Sequence, residues 1–412
     1  MTDFLQLISI LTIILVSAKL AGYLSRRLGQ PSVFGELLIG VLLSPSLLNI
    51  THLGFITSEH LDATIHELGE IGVLLLMFLA GLELHIKDLT RNRRVAMFAG
   101  ILGVLLPVGL GILFGEILDM PFDHALFLGL TLGATSVSIS AQVLIELKVL
   151  RTKTGLGLLG AAVFDDILVI LLLSTAVAIL SGGGSLWQVL WVFAKMVIFL
   201  VLSAAIGIWV LPRMVRLTGK LSISQGLTTF AIVILLGYGL AAELIGGMAA
   251  ITGTFMAGLM FSRTPEKAVI ENNLRSLAYA FFVPIFFVSI GLNVNLKELS
   301  WDSAWVFAII SIIAILGKII GAGSGALISK FSPREALQLG IGMVSRGEVG
   351  LIIANIGVSS GYLSEEMLTI IVGMILVTTL VTPPMLRWSF KKSRAEKTEV
   401  ETMPLDSSKE IL

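Results

Sequence analysis

The chain has 412 residues, 56% of them hydrophobic and 14% charged, with 42 glycines, a mean hydropathy of +0.97, as many acidic as basic residues and no cysteine. Soluble domains run at about 45–50% apolar with glycine counted and about 25% charged, so a soluble enzyme, a nucleic-acid binder, a disordered chain and a disulfide scaffold are all excluded. Zero net charge argues against a polyanion-binding surface and the missing cysteine removes Cys-type zinc sites, iron–sulfur clusters and thiol nucleophiles, which leaves an all-α polytopic membrane protein.

A bilayer core of about 30 Å needs about 20 apolar residues per helix. On that measure the chain predicts thirteen spans: 4–24, 33–48, 68–84, 95–115, 124–145, 155–180, 186–211, 223–242, 247–262, 277–292, 303–328, 335–357 and 367–388. The first lacks a basic leader and a small-residue cleavage site, so it reads as a retained helix and not a signal peptide. Segments 33–48 and 247–262 are short.

The connections alternate in charge. One set carries Arg26 and Arg27, then Lys87, Arg91, Arg93 and Arg94, then Lys148, Arg151 and Lys153, then Arg213, Arg216 and Lys220. It continues with Arg263, Lys267 and Arg275, then Lys330 and Arg334, and ends with Arg387, Lys391, Lys392, Arg394 and Lys397. The other set carries Glu59, Asp62, Glu116, Asp119, Asp123, Glu298, Asp302, Glu365 and Glu366, with Lys297 its one basic residue. The positive-inside rule puts the N-terminus outside and the C-terminus in the cytoplasm, as expected of a multi-pass protein of the inner (plasma) membrane. The polar tail at 391–412 is expected to be disordered.

Two spans break in the middle. Residues 123–129 (DHALFLG) and 334–340 (REALQLG) share an Ala-Leu-x-Leu-Gly core, and each opens a span that runs into small polar residues: GATSVSIS at 133–140 and VSRGEVG at 344–350. These are the fifth and twelfth spans, so they cross in opposite directions. Paired interrupted helices in corresponding halves point to an inverted-repeat secondary transporter, because backbone freed in a bilayer must line a cavity or be buried in protein. The plain alternative is two Ser/Gly-rich packing faces.

Ionisable groups at the bilayer centre cost at least about 2.5–3.5 kcal/mol each, which makes them functional candidates. Asp165 and Asp166 lie deep in the sixth span, Lys318 midway along the eleventh, and Arg346 and Glu348 in the break of the twelfth. Lys19, Glu36, Glu70, Glu83 and Glu146 lie nearer span ends, from which they can snorkel to the interface; Lys195 is nearer mid-depth. Adjacent helical residues point about 100° apart, so the two aspartates can face one partner and one cavity. Lys318 can neutralise one carboxylate, and the second is an excess that a structural ion pair does not need. A close carboxylate pair holds protons more tightly and offers hard oxygens to a small cation, which suits exchange of one for the other. Arg346 and Glu348 can pair with each other or oppose the half-helix dipoles, a charge-balancing role.

The stretch GLGLLG at 155–160 has dinucleotide-fold glycine spacing, but a basic loop precedes it and no acidic residue follows about twenty positions on; it is a helix-packing stripe. His52, His60, His66, His85 and His124 fall in or beside loops in no metal-ligand arrangement. No cofactor is expected.

At these residues the chain resembles the monovalent cation:proton antiporters, in particular the bacterial NapA-type sodium/proton exchangers. The similarity runs over all the spans and is densest at 30–36 (QPSVFGE), 134–140 (ATSVSIS), 160–166 (GAAVFDD), 315–318 (ILGK) and 346–350 (RGEVG). The resemblance implies an inverted-repeat fold with two broken, crossing helices, and a homodimer. Each protomer would have core halves at 95–181 and 301–390, dimerisation helices at 1–94 and 213–300, and a linker helix at 182–212. It implies that Asp166 is the principal carboxylate for transient Na⁺ and H⁺, that Asp165 partners Lys318, and that Thr135 stands beside the site. Related potassium-efflux systems usually carry Gln-Asp there and append a nucleotide-binding domain; the Asp-Asp pair and the absence of that domain favour electrogenic sodium exchange, with Li⁺ and K⁺ able to use similar oxygen sites. An intramembrane aspartyl hydrolase would need acids on two helices, commonly within Gly-x-Gly-Asp, and neither is present. A passive channel or receptor on the same scaffold is the other rival, and dissipation of a pH gradient on sodium addition separates it.

Overall fold

The computed structural model describes residues 2–50, 56, 60–84, 92–180, 186–218, 224–292 and 303–402. His52, Glu59, His85, Lys87, Arg91, Lys220, Lys297, Glu298, Asp302 and residues 403–412 lie outside the described residues, as do the side chains of Glu348 and of residues 392–402.

Every regular element among the described residues is helical. In chain order these are α1 Asp3–Arg27, α2 Ser32–Leu43, α3 Leu61–Glu83, α4 Arg93–Ile117, α5 Phe122–Gly133, α6 Val137–Glu146 and α7 Lys153–Leu180. There follow α8 Leu186–Trp209, α9 Leu211–Thr218, α10 Gly226–Ala241 (extended by a π turn, Ala242–Gly246), α11 Ala250–Phe261 and α12 Lys267–Leu277. After a second π turn, Ala278–Phe282, come α13 Val283–Leu292, α14 Ala304–Ile328, α15 Pro333–Gly342, α16 Glu348–Ser359 and α17 Glu365–Thr402.

Among the described residues, ten helical segments, with α5 and α6 together as one of them, are long and apolar enough to cross a membrane. They match ten of the thirteen expected spans; the other three fall short of that length. Segment 33–48 forms α2, stopped by Pro31 at its N-cap and Ser44 at its C-cap. Segment 247–262 forms α11, which starts after Gly247 in the left-handed region (φ 62°). Segment 335–357 is divided at its break into α15 and α16. The last helix runs on to Thr402 instead of ending at 391; the Lys-, Ala- and Glu-rich residues there are good helix formers and extend a helix already nucleated.

Local signals set the ends. Thr2 caps α1, with Asp3 in its first turn and Arg26 and Arg27 in its last, a charge order that suits the helix dipole. Ser332 and Glu335 close a reciprocal capping box at the start of α15, with Pro333 in its first turn.

The helices pack as two bundles. One joins α4–α7 to α14–α17, and the other joins α1–α3 to α10–α13; α8 lies against α7, α11 and the first π turn. The bundles meet where α2 and α3 touch α6 and where α2 touches α17. At the centre of the first bundle α4 crosses α14 with backbones nearly touching. A Cβ on Gly321 would lie 2.3 Å from the Leu102 carbonyl oxygen, and one on Gly325 2.3 Å from that of Phe98, so small residues decide this contact. Trp187, Leu190, Trp191 and Phe193 on α8 point outward, a face that lipid covers at no cost.

Candidate ion-binding site

The two breaks cross and close each other's hydrogen bonds. Ala134, Thr135 and Ser136 separate α5 from α6, and residues 343–347 separate α15 from α16. The Ser136 N–H donates to the Ser345 carbonyl at 2.8 Å, and the Ser345 hydroxyl donates back to the Ser136 carbonyl at 2.7 Å. Ser140 donates to the Gly342 carbonyl at 2.5 Å. Backbone released from two helices in an apolar slab is thus satisfied within protein.

Arg346 is fully buried, and its guanidinium collects the remaining carbonyls. It donates to Leu132 in the last turn of α5 (2.8 Å), to Val344 just beyond α15 (2.6 Å) and to Ala314 on α14 (3.0 Å). One cation therefore faces the C-terminal ends of both first half-helices, where the dipoles are negative. Glu348 opens α16.

Asp165 and Asp166 are consecutive residues of α7, and the helical turn sends them to different neighbours. Lys318 on α14 donates to Asp165 Oδ1 at 2.6 Å, with both side chains fully buried. Thr252 on α11 donates to Asp166 Oδ2 at 3.2 Å. Thr135, in the first break, places its hydroxyl beside the Asp165 carboxyl. Asp165 Oδ2 and the Thr135 hydroxyl are buried with no hydrogen-bond partner of ordinary geometry, an expensive condition unless another species completes them. Asp165 and Thr135 on one side, and Asp166 and Thr252 on the other, supply hard oxygens of the kind a small monovalent cation takes. Asp166 and Thr252 also share a small cavity of about 10 Å³ with Val137, Val163, Ile251 and Phe255, about the space of one water molecule.

The space between the bundles differs at the two ends. At the end carrying the acidic connections, a cavity of about 290 Å³ is lined by Glu70, Glu243, Ala249, Ile251, Ser289 and Gly347. It reaches the second break and shares Ile251 with the small cavity at Asp166. At the basic end the bundles are tied together. Glu146 at the end of α6 accepts from the Ser32 N–H (2.7 Å) and hydroxyl (2.6 Å) of α2 and from Gln142 (2.9 Å). The Tyr279 hydroxyl donates to Gln142 Oε1 at 2.8 Å, and Lys19 donates to the Tyr279 carbonyl at 2.7 Å. A cavity of about 190 Å³ remains among Lys19, Arg26, Ser32, Glu36, Gln142 and Tyr279.

The structure thus brings Asp165, Asp166, Lys318 and Thr135 together and sets Arg346 under the same crossing. Sequence reasoning missed Thr252; the one available hint was the glycine pair at 246 and 247, which interrupts the chain just before α11. It also read Glu36 and Glu146 as snorkelling side chains, whereas Glu36 is buried and Glu146 is held by the other bundle. Glu83 instead pairs with Arg275 at 2.6 Å.

Comparison with known proteins agrees with this architecture. The family model of the sodium/hydrogen exchanger transmembrane region matches residues 13–392. The chain is 41% identical over 388 residues to the Na⁺/H⁺-K⁺ antiporter GerN of Bacillus cereus, covering 94% of this chain and 97% of that protein. It is 40% identical over 390 residues to a Na⁺/H⁺ antiporter of Enterococcus hirae, covering 94% and 99%. Among solved structures it superposes on the sodium proton antiporter MjNhaP1 of Methanocaldococcus jannaschii with a TM-score of 0.69 at 18% identity, over 96% of this chain and 99% of that one. At that identity the likeness is one of fold.

Proposed function

The chain belongs to the sodium/hydrogen exchanger family, and from that premise we propose that it is an antiporter that carries Na⁺ one way and H⁺ the other. It is a multi-pass membrane protein, and we place it in the plasma membrane as a homodimer with the basic end in the cytoplasm. The observation that carries the reading is the unequal Asp pair: Asp165 is neutralised by Lys318, while Asp166 faces the Thr252 hydroxyl and a small cavity.

Exchange follows from competition. Asp166 holds a proton or a cation, and a site that binds either in turn couples their fluxes. The bundle of α4–α7 and α14–α17 is the moving core, and it shifts against the other bundle so that the site faces one end at a time. Asp165 leaves Lys318 to help hold the cation, while Lys318 stays as the counter-charge. Arg346 keeps the crossing neutral at the helix ends throughout.

Asp166→Asn is expected to abolish sodium-driven proton movement in proteoliposomes with the fold intact, since the amide can neither release a proton nor offer a charged ligand. Undiminished exchange in that variant would sink the assignment. Potassium is the second reading for the cargo, favoured by the relative whose name carries both ions. Parallel flux assays with Na⁺, K⁺ and Li⁺ separate them.

A further inference from the structure

The α7 aspartates belong to one bundle, and Thr252 belongs to the other. Its hydroxyl is buried and reaches Asp166 Oδ2 at 3.2 Å. Thr252 is the third residue of α11, a helix that starts afresh after the π turn and left-handed Gly247 interrupt the chain. Ala249, Ala250 and Ile251 line the acidic-end cavity, so Thr252 stands directly behind the floor of that cavity.

The platform under Thr252 is stiff. A Cβ on Gly258 of α11 would lie 2.0 Å from the Phe78 carbonyl oxygen of α3, and one on Gly253 2.2 Å from that of Tyr238 on α10. Backbones in such contact leave α11 no room to slide against its own bundle. A core that moves must therefore move past Thr252 and cannot carry it along.

A hydroxyl has one proton to donate and two lone pairs to offer. Facing an ionised Asp166 it donates; facing a cation on Asp166 it turns and accepts. We propose that Thr252 is a cation ligand lent by the second bundle, available to Asp166 only while the site opens toward the acidic end. The two faces of the transporter then have different ligand sets: Thr252 completes the site at one face and is absent at the other. This rests on the reading of Asp166 as the ion site.

The test measures the KM for Na⁺ separately at each face, in right-side-out and inverted membrane vesicles. Thr252→Val keeps the shape and removes the hydroxyl. It is expected to raise KM about tenfold at the acidic-end face, the scale of one hydrogen bond to a charged group. At the basic-end face KM should change less than about twofold, within the scatter of indirect effects. Thr252→Ser is expected to restore both values. An equal change at both faces, no change at either, or a change confined to the basic-end face overturns the proposal. If the valine variant fails to reach the membrane, Thr252→Ala carries the same comparison. Asp166→Asn is run in the same vesicles: if it exchanges like the unaltered chain, the ion-site reading has failed, whereas a flat Thr252 series beside an inactive Asp166→Asn removes Thr252 alone.

Discussion

Two acid pairs, each with a lysine nearby, sit at different depths of the same molecule: Asp165 and Asp166 are both buried, whereas Glu36 is buried and Glu146 half-buried. Asp165 and Asp166 lie at the helix crossing with Lys318; Glu36 and Glu146 lie at the basic end with Lys19. The residue types are nearly the same, and the difference is in how their oxygens are occupied. Both oxygens of Glu146 are filled by donors, and those from Ser32 belong to the opposite bundle. At the crossing one oxygen of Asp165 has the Thr135 hydroxyl beside it but no hydrogen bond of ordinary geometry, and Asp166 looks into a cavity. A carboxylate whose oxygens are all filled can only fasten, whereas one that faces a cavity has room for a ligand. Glu146 thus ties the two bundles at the basic end, while at the acidic end the cavity between them reaches the second break.

Substitutions can break this comparison, beginning with the largest effect. Lys318→Met leaves Asp165 charged and alone in the protein interior, and is expected to cost about 3–5 kcal/mol of stability. Thermal unfolding in detergent reads the loss. Adding Asp165→Asn should return most of it, because the neutral pair no longer strands a charge. A double variant as unstable as the single one would mean that the ion pair is not the reason for the loss.

Glu146→Gln is expected to have an intermediate effect. The amide replaces charge-assisted bonds and presents its own N–H₂ to a donor on Ser32, weakening the closure by about 1.5–3 kcal/mol. A cysteine introduced at Gly22, beside the basic-end cavity, should then react several-fold faster with a thiol reagent. Unchanged labelling would show that the closure does not depend on Glu146.

The smallest effect is expected at Glu36. It is buried and lines the basic-end cavity, yet accepts no hydrogen bond from a described residue. Glu36→Gln, which breaks no hydrogen bond to a described residue, should therefore shift stability by less than about 1.5 kcal/mol, below the Glu146→Gln range, and leave exchange running. Loss of exchange as complete as that of Asp166→Asn would erase the distinction between the two pairs.

Asp165, Asp166 and Lys318 stand out because each is an ionisable residue in the middle of an apolar run, and that is visible one span at a time. The breaks at Thr135 and Arg346 are visible in the same way, as small or charged residues where an apolar helix should continue. Glu36 and Glu146 read differently because nearness to a span end suggests an exit to water, whereas Glu36 is buried beside a cavity and Glu146 is tied to Ser32 of the other bundle. Thr252 left almost no trace: a threonine in an apolar helix is ordinary, and only the approach of α7 from the other bundle gives it a partner.

What the sequence alone determined is depth: which residues must lie in the bilayer, at which end each connection emerges, and where the backbone stops being helical. Insertion energies add residue by residue along one chain, so a linear reading captures them. What the tertiary structure decided is company: that Lys318 meets Asp165 and not Asp166, that Arg346 covers the ends of two half-helices, that Ser32 fastens Glu146 and that Thr252 faces Asp166. Those pairings depend on the rotation of each helix about its axis and on which helices touch, and both are fixed by side-chain packing between segments far apart in the chain.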